Sequence, residues 1–298
     1  MCAPRFRVDD AGNAGGGMGE TRDDLASGGA AMHAGYATVA VQADDKAFAM
    51  AGYGPMASKG KVDPDAPPLM ARALYLSKAG QQVAFCVVDM MSASTWVLHE
   101  AGARLEGIGE ERLILAGTHT HTAPGRFYGN PFYDSFAHAL ASGGFSKEQG
   151  MRYVHAIVAA VTLAKSKAEP AVVGVGTAAC WGASTNRSLE AFEAHADSAH
   201  WHNAGWPGAD APAGLEGRER AIDPRVTVVA AFPKAQPDLV RGAVATFACH
   251  ATSMGVFPRT FERDWPGVAV DETKLAFAPG GGVAVGLSGA GDASPLPD

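Results

Sequence analysis

The apolar residues of this chain come in short runs closed by turn formers, and that rhythm restricts the fold more than any other feature. Leu113-Ile114-Leu115-Ala116 stops at glycine, Gln82 to Val88 follows a turn at Lys78-Ala79-Gly80, and Val283 to Leu287 is a further run of the same kind. Runs of this length read as buried strands, and none approaches the roughly 18 consecutive apolar residues of a membrane span. Ala71 to Leu76 joins Gln82 to Val88 as a hairpin, and Val226 to Phe232 joins Arg241 to Cys249 through Pro233 to Asp238 as another. Alternation over Ala37 to Phe48 and the run Val172 to Ala178 add two strands. Helices intervene. Ser94 to Leu105 is one; Ser146-Lys147-Glu148-Gln149 opens a second, with Tyr153, Ile157, Val158 and Val161 at helical spacing and an end near Ala168, before Pro170. The fold class predicted is α/β: a mixed layered sheet with helices, active site at strand ends, and no strict βα repeat.

Residues 1–35, rich in Gly and Ala with Asp9, Asp10, Asp23 and Asp24, lack the apolar core of a secretory signal and read as a flexible leader. Compartment is left open. No repeat and no Pro/Ser-rich linker divides residues 36–298, which read as one domain carrying a polar insertion at about 190–222 with His195, His200, Trp201, His202 and Trp206. That insertion is a surface excursion or a lid. A hydrophobic share of 47% supplies a sizeable core, and a net charge of −7 offers no broad basic surface, so no nucleic-acid partner is expected. Cys2, Cys86, Cys180 and Cys249 form neither a disulfide framework nor a four-cysteine zinc pattern; Cys86 and Cys249 read as buried reduced thiols.

The chemistry concentrates in Gly117-Thr118-His119-Thr120-His121-Thr122-Ala123-Pro124-Gly125. Residues i and i+2 of an extended strand share a face, so His119 and His121 are expected to project together from the end of Leu113 to Ala116, with small threonines leaving room. Two such imidazoles are either a hydrogen-bonding pair or ligands of a divalent ion such as Zn²⁺, which needs three or four. His250, at the end of another strand, supplies a third and makes a shared metal the better explanation. His33 in the leader, His99 and His155 on helices, and the histidines of the insertion gain nothing from this. Asp89 ends a strand where it can face a site, and Arg187 could grip a substrate oxygen or carboxylate with its planar fork or lie in a surface salt bridge. Asp292 and Ser294 sit in the Gly-rich turn Gly289 to Pro295, and Asp264 in Arg263-Asp264-Trp265-Pro266-Gly267 is unremarkable alone.

Taken in order, Gly52-Tyr53-Gly54, Ala71-Arg72-Ala73, Asp89, Gly117 to Gly125, Asn186-Arg187-Ser188, His250 with Ser253-Met254, Asp264 and Gly291-Asp292-Ala293-Ser294-Pro295 resemble the neutral/alkaline, non-lysosomal ceramidase family from about residue 36 to the end. The resemblance implies zinc-dependent hydrolysis of the amide of ceramide or a related N-acyl lipid to a sphingoid base and a fatty acid. It implies a lipid amide as partner, with peripheral membrane contact, in a family often secreted or membrane-associated. By the same resemblance His119 and His250 bind zinc, His121 and Arg187 assist at the substrate, and Ser294 is catalytic. In the family a glutamate and a tyrosine well downstream of the Gly-Asp-X-Ser-Pro motif complete the zinc site, whereas this sequence ends at Asp298; an incomplete catalytic domain is therefore expected. Leu296 stands where an asparagine is usual and Arg126 where a glycine is. Asp89 and Asp292 are then the substitute ligands to consider, with Asp264 as further site support. Two other readings are a metal- or lipid-binding domain without turnover, and another metal-dependent amidohydrolase of barrel type with His119, His121, His250 and Asp292 in order. The stretch after His121 is short for a (β/α)₈ barrel of roughly 250 residues.

Overall fold

Both hairpins read from the sequence form, and each is the middle of a half-sheet of the same connectivity. The structure is a computed structural model that describes residues 31–43, 46–54, 59–136, 144–198, 212–215, 217–273, 277–287 and 293–295. In chain order the strands are β1 (His33–Ala40), β2 (Phe48–Ala49), β3 (Lys59–Gly60), β4 (Met70–Lys78), β5 (Gln81–Val88) and β6 (Leu113–Gly117), then β7 (Glu169–Ala179), β8 (Ser184–Asn186), β9 (Arg225–Pro233), β10 (Gly242–Phe247), β11 (Val283–Leu287) and β12 (Ala293–Pro295). The helices are α1 (Thr95–Gly102), α2 (Lys147–Ser166), α3 (Leu189–Glu193) and α4 (Asp264–Asp271). One sheet runs β11-β10-β9-β7-β1-β4-β5-β6, and β8 with β12 and β2 with β3 form two small ribbons. From the central pair outward, each half begins with two antiparallel pairings (β1/β4/β5 and β7/β9/β10) and ends with a parallel one (β5/β6 and β10/β11).

Period-two alternation sorts the side chains into layers. Ala71, Ala73 and Tyr75 of β4 and Ala84, Cys86 and Val88 of β5 join Tyr153, Val154, Ile157 and Val161 of α2 in one core. Their neighbours Leu74, Leu76 and Val87 face Ala231, Val244 and Ala284 of the other half-sheet in a second core. The far face of that half, Val226, Val228, Val283 and Val285, packs against Trp265 and Val270 of α4. The halves meet in the sheet at His33↔Pro170 and Ala34↔Glu169, with the Ala171 N–H donating to Met32 O at 2.9 Å. β11 starts over β1, where the Tyr36 hydroxyl donates to the Val283 carbonyl at 2.9 Å, and Gly286, one residue before its end, lies beside Ala116 and Val87. It therefore crosses the first half-sheet from β1 to β6, bringing the ends of β6 and β10 together.

The local signals act as read. Ala79 and Gly80, both at positive φ, close the β4–β5 hairpin as a two-residue turn. Ser94 and Ser146 cap α1 and α2 by accepting from Val97 and Gln149 amides. The strand expected over Ala37 to Phe48 is instead two: β1 starts at His33, inside the stretch assigned to the leader, and β2 holds only Phe48–Ala49. β7 begins before Val172, at Glu169. The open mixed sheet rules out the barrel. Residues 1–30, and with them most of the leader, lie outside the described residues, as do His200, Trp201, His202 and Trp206 of the insertion and Asp292.

Candidate metal centre

The first two histidines are aimed by a loop, not by the pleat of a strand. β6 ends at Gly117, where a Cβ would stand 2.6 Å from the Met90 carbonyl oxygen, so only glycine lets the chain run this close to the segment after β5. Thr118 N–H donates to Val88 O at 2.9 Å and His119 N–H to Met90 O at 3.1 Å. His119 then adopts φ 65°, a left-handed conformation uncommon for a residue with a Cβ. The i, i+2 strand geometry expected for the pair is thus corrected: a strained turn separates them and still converges their rings. His250 comes three residues after β10 and donates its backbone N–H to Ala293 O at 2.6 Å.

His250 Nε2 lies 2.8 Å from His121 Nε2 and 3.1 Å from His119 Nε2, and one nitrogen from each of the three rings falls within 4.8 Å of the others. Ligand nitrogens about 2.0–2.1 Å from a tetrahedral ion stand about 3.3–3.4 Å apart, so rings opening by a few tenths of an ångström would admit one. Imidazole donors suit zinc and its first-row neighbours. Burial lowers the His119 pKa, a hydrogen bond to the Met91 backbone opposes this, and the positive field of Arg187 adds to the lowering. The carbonyl at Met91 must be the acceptor, since the bond favours the protonated ring. His119 is held neutral, as a ligand must be.

The structure brings most of the sequence candidates to this place. Arg187, exposed at the end of β8, acts on His119 through its field. β8 pairs with β12, setting Ser294 opposite Thr185 next to the Ala293 carbonyl that receives His250. Asp89 turns its carboxylate elsewhere: Oδ1 accepts from Arg72 at 2.9 Å and Oδ2 from the Met70 amide at 2.8 Å, with both side chains buried. Asp264, at φ 55°, accepts from the amides of Ser253, Met254 and Trp265 and so fastens the turn after His250. Both carboxylates brace the loops that carry the histidines.

Several braces escaped the sequence reading. The Thr120 and Thr122 hydroxyls both donate to the Glu262 carbonyl, at 2.8 and 2.9 Å, and Trp265 Nε1 donates to the His250 carbonyl at 3.2 Å. The threonines taken as small spacers tie the His119–His121 loop to the segment holding His250. A Cβ on Gly52 (φ 104°) would stand 2.4 Å from His121 Nδ1, and the neighbouring Tyr53 ring meets His121 edge-on at 4.7 Å. The Tyr53 hydroxyl is pushed up to about 12 by burial and the nearby Asp264 charge. Arg126, in the glycine position, takes φ 61° and lays its guanidinium 5.0 Å over Phe48. The alternating Thr-His-Thr-His-Thr pattern was the one available signal for the threonine clamp.

A layered α/β domain that gathers three imidazoles where two half-sheets meet is the class these features define. Residues 37–278 match the family described as neutral/alkaline non-lysosomal ceramidase, N-terminal, and the chain belongs to that family. It is 27% identical over 191 residues to the neutral ceramidase of Pseudomonas aeruginosa, covering 62% of this chain and 25% of that protein. To the neutral ceramidase of Mycobacterium tuberculosis it is 28% identical over 145 residues, 49% of this chain and 19% of that one. The crystal structure of the Pseudomonas aeruginosa enzyme superposes with a TM-score of 0.73 at 24% identity, over 90% of this chain and 40% of that chain. A ceramidase complexed with C2 gives 0.70 at 22%, over 89% and 39%. The sequence match spans a quarter or less of these curated relatives and the superposition about two fifths of the solved chains, and at such identity the structural likeness speaks for the fold.

Proposed function

We propose that this domain binds zinc through His119 and His250 and contributes to hydrolysis of the amide bond of ceramide or a related N-acyl lipid, releasing a sphingoid base and a fatty acid. The observation that carries the reading is the convergence of the three imidazole nitrogens; family membership directs it to ceramide. Zinc, when bound, supplies Lewis-acid polarisation of the carbonyl and lowers the pKa of water to the neutral range. His119, kept neutral, offers a lone pair at Nε2 while its other ring nitrogen is fixed by the Met91 backbone. His121, with Tyr53 against its ring, moves a proton between attacking water and leaving amine. Arg187, whose positive field already reaches His119, stabilises the oxyanion. Ser294 presents a hydroxyl to the substrate from β12.

Metal analysis of the purified chain, set beside release of fatty acid from a short-chain ceramide, tests both halves of the reading. His119→Ala and His250→Ala are each expected to lose bound zinc, whereas Arg187→Ala keeps the metal and lowers release. Unchanged zinc in both histidine variants would sink the site. Zinc without release would favour a metal- or lipid-binding domain lacking turnover.

A further inference from the structure

The half-sheets pair at His33↔Pro170 and Ala34↔Glu169, at the strand ends opposite those that carry the histidines. That pairing therefore leaves the distance between the His119–His121 loop and His250 to be set elsewhere. One segment, Glu262 to Trp265, reaches both. On one side the Glu262 carbonyl accepts from the Thr120 and Thr122 hydroxyls at 2.8 and 2.9 Å, and its N–H returns a bond to the Thr122 carbonyl at 3.2 Å. Two hydroxyl protons meet a carbonyl with two lone pairs, and both threonines are fully buried, so water offers them no substitute partner. On the other side Trp265 Nε1 donates to the His250 carbonyl at 3.2 Å, and Asp264 accepts from the amides of Ser253 and Met254 just beyond it. The Glu262 carboxylate is turned to another task, accepting from the Thr260 hydroxyl at 2.9 Å.

We propose that Thr120, Thr122 and Trp265 are positioning residues of the metal centre: through the Glu262–Trp265 segment they hold the His119–His121 loop and His250 in register, and so raise its affinity for zinc. This role rests on the reading of His119 and His250 as zinc ligands. A ligand set already held together spends less of its binding energy on ordering loops, whereas histidines on two loose loops must be gathered at each binding event. The working acceptor is a backbone carbonyl, so the identity of residue 262 carries no signal of it. The two links act in series. Freeing either the threonine side or the tryptophan side releases the register, and freeing both should add little to freeing one.

Zinc affinity of the full chain, measured by competition with a chromophoric chelator, tests this. Thr120→Val with Thr122→Val keeps the side-chain shape, removes both donors and should weaken zinc binding about tenfold. Thr120→Ser with Thr122→Ser keeps the donors and should bind as the parent does. Trp265→Phe should also cost about tenfold, and the combined valine and phenylalanine variant hardly more, where independent sites would multiply to about a hundredfold. The full product overturns the proposal. A purely structural role would lower the thermal midpoint of the zinc-free valine variant and leave its affinity at the parent's value, which overturns it as well. Should the valine pair not fold, Trp265→Phe, at a part-exposed side chain, decides alone, and parent affinity there is fatal. A loss in Glu262→Gln as large as in the valine pair also overturns it, since the carboxylate would then be the working group. His119→Ala separates the two failures. If that variant keeps the parent's zinc, the metal reading falls and this role with it; if it loses zinc while the valine pair binds like the parent, this role falls alone.

Discussion

The two half-sheets share one connectivity and live in different surroundings. In the first, β4 is buried along almost its whole length because α2 covers one face and the other half-sheet covers the opposite one. In the second, β7 lies at the margin of the cover on both its faces: Val172 on the α4 side is left 39% exposed, and Val175 on the side turned to the first half-sheet is left 65% exposed. The site draws on both. The first half carries His119 and His121, and the second carries His250 together with the β8–β12 ribbon of Arg187 and Ser294. One wall of the centre is therefore set by a doubly covered sheet, and the other by elements whose anchoring is mostly local hydrogen bonding.

The sharpest break of this comparison lies in the Arg72–Asp89 pair, which fixes the end of β5. Asp89→Asn leaves a buried guanidinium without its charge partner, a loss of about 3–5 kcal/mol. The double variant Arg72→Met, Asp89→Leu should recover much of that stability in denaturant melts. Because Met90 and Met91, the next residues, receive the His119 amide and ring, zinc content should drop in Asp89→Asn even at temperatures where the protein stays folded. Full zinc in that variant would show that the first half does not position His119.

A second test weighs the halves directly. Ile157→Ala empties a fully buried position of α2 and should cost about 2–5 kcal/mol, whereas Val175→Ala on exposed β7 should stay within about 0.5 kcal/mol. Urea unfolding measures both. Comparable losses would mean that this stretch of β7 is covered by something outside the described residues.

What the sequence made legible follows the range of the forces involved. The β4–β5 turn, the starts of α1 and α2, the spacing of Tyr153, Ile157 and Val161, and the strand before Gly117 are local, and they were readable. The extent of β1 was not, since pairing to β4 from His33 onward is decided by residues about forty positions away and not by alternation across Gln42 to Lys46. The histidine motif was found by composition, yet its geometry depends on a left-handed His119 and on Glu262, far along the chain, accepting two threonine hydroxyls. Asp264 looked ordinary because its role, holding the amides of Ser253 and Met254, exists only after folding.

The two buried cysteines report on the halves with the smallest perturbation. Burial pushes both thiols up to about 12, with Arg72 slightly opposing this at Cys86 in β5 and Asp264 adding to it at Cys249 after β10. An unfolded thiol titrates near 8.5, so the folded chain keeps protons that the unfolded chain loses. The resulting stabilisation is fully present below about 8.5 and is lost as pH rises toward the folded value. Cys86→Ala should remove about 1 kcal/mol of the parent's destabilisation between pH 7 and pH 9. Neither thiol can react with iodoacetamide without opening, whereas Cys180 is partly exposed and should react before either of them. Cys249 should then label faster than Cys86, because the segment around it is held by a few backbone amides and not by a doubly covered sheet. Equal labelling rates for the two would mean that both halves open together as one cooperative unit, and that the difference in their cover has no consequence for motion at the site.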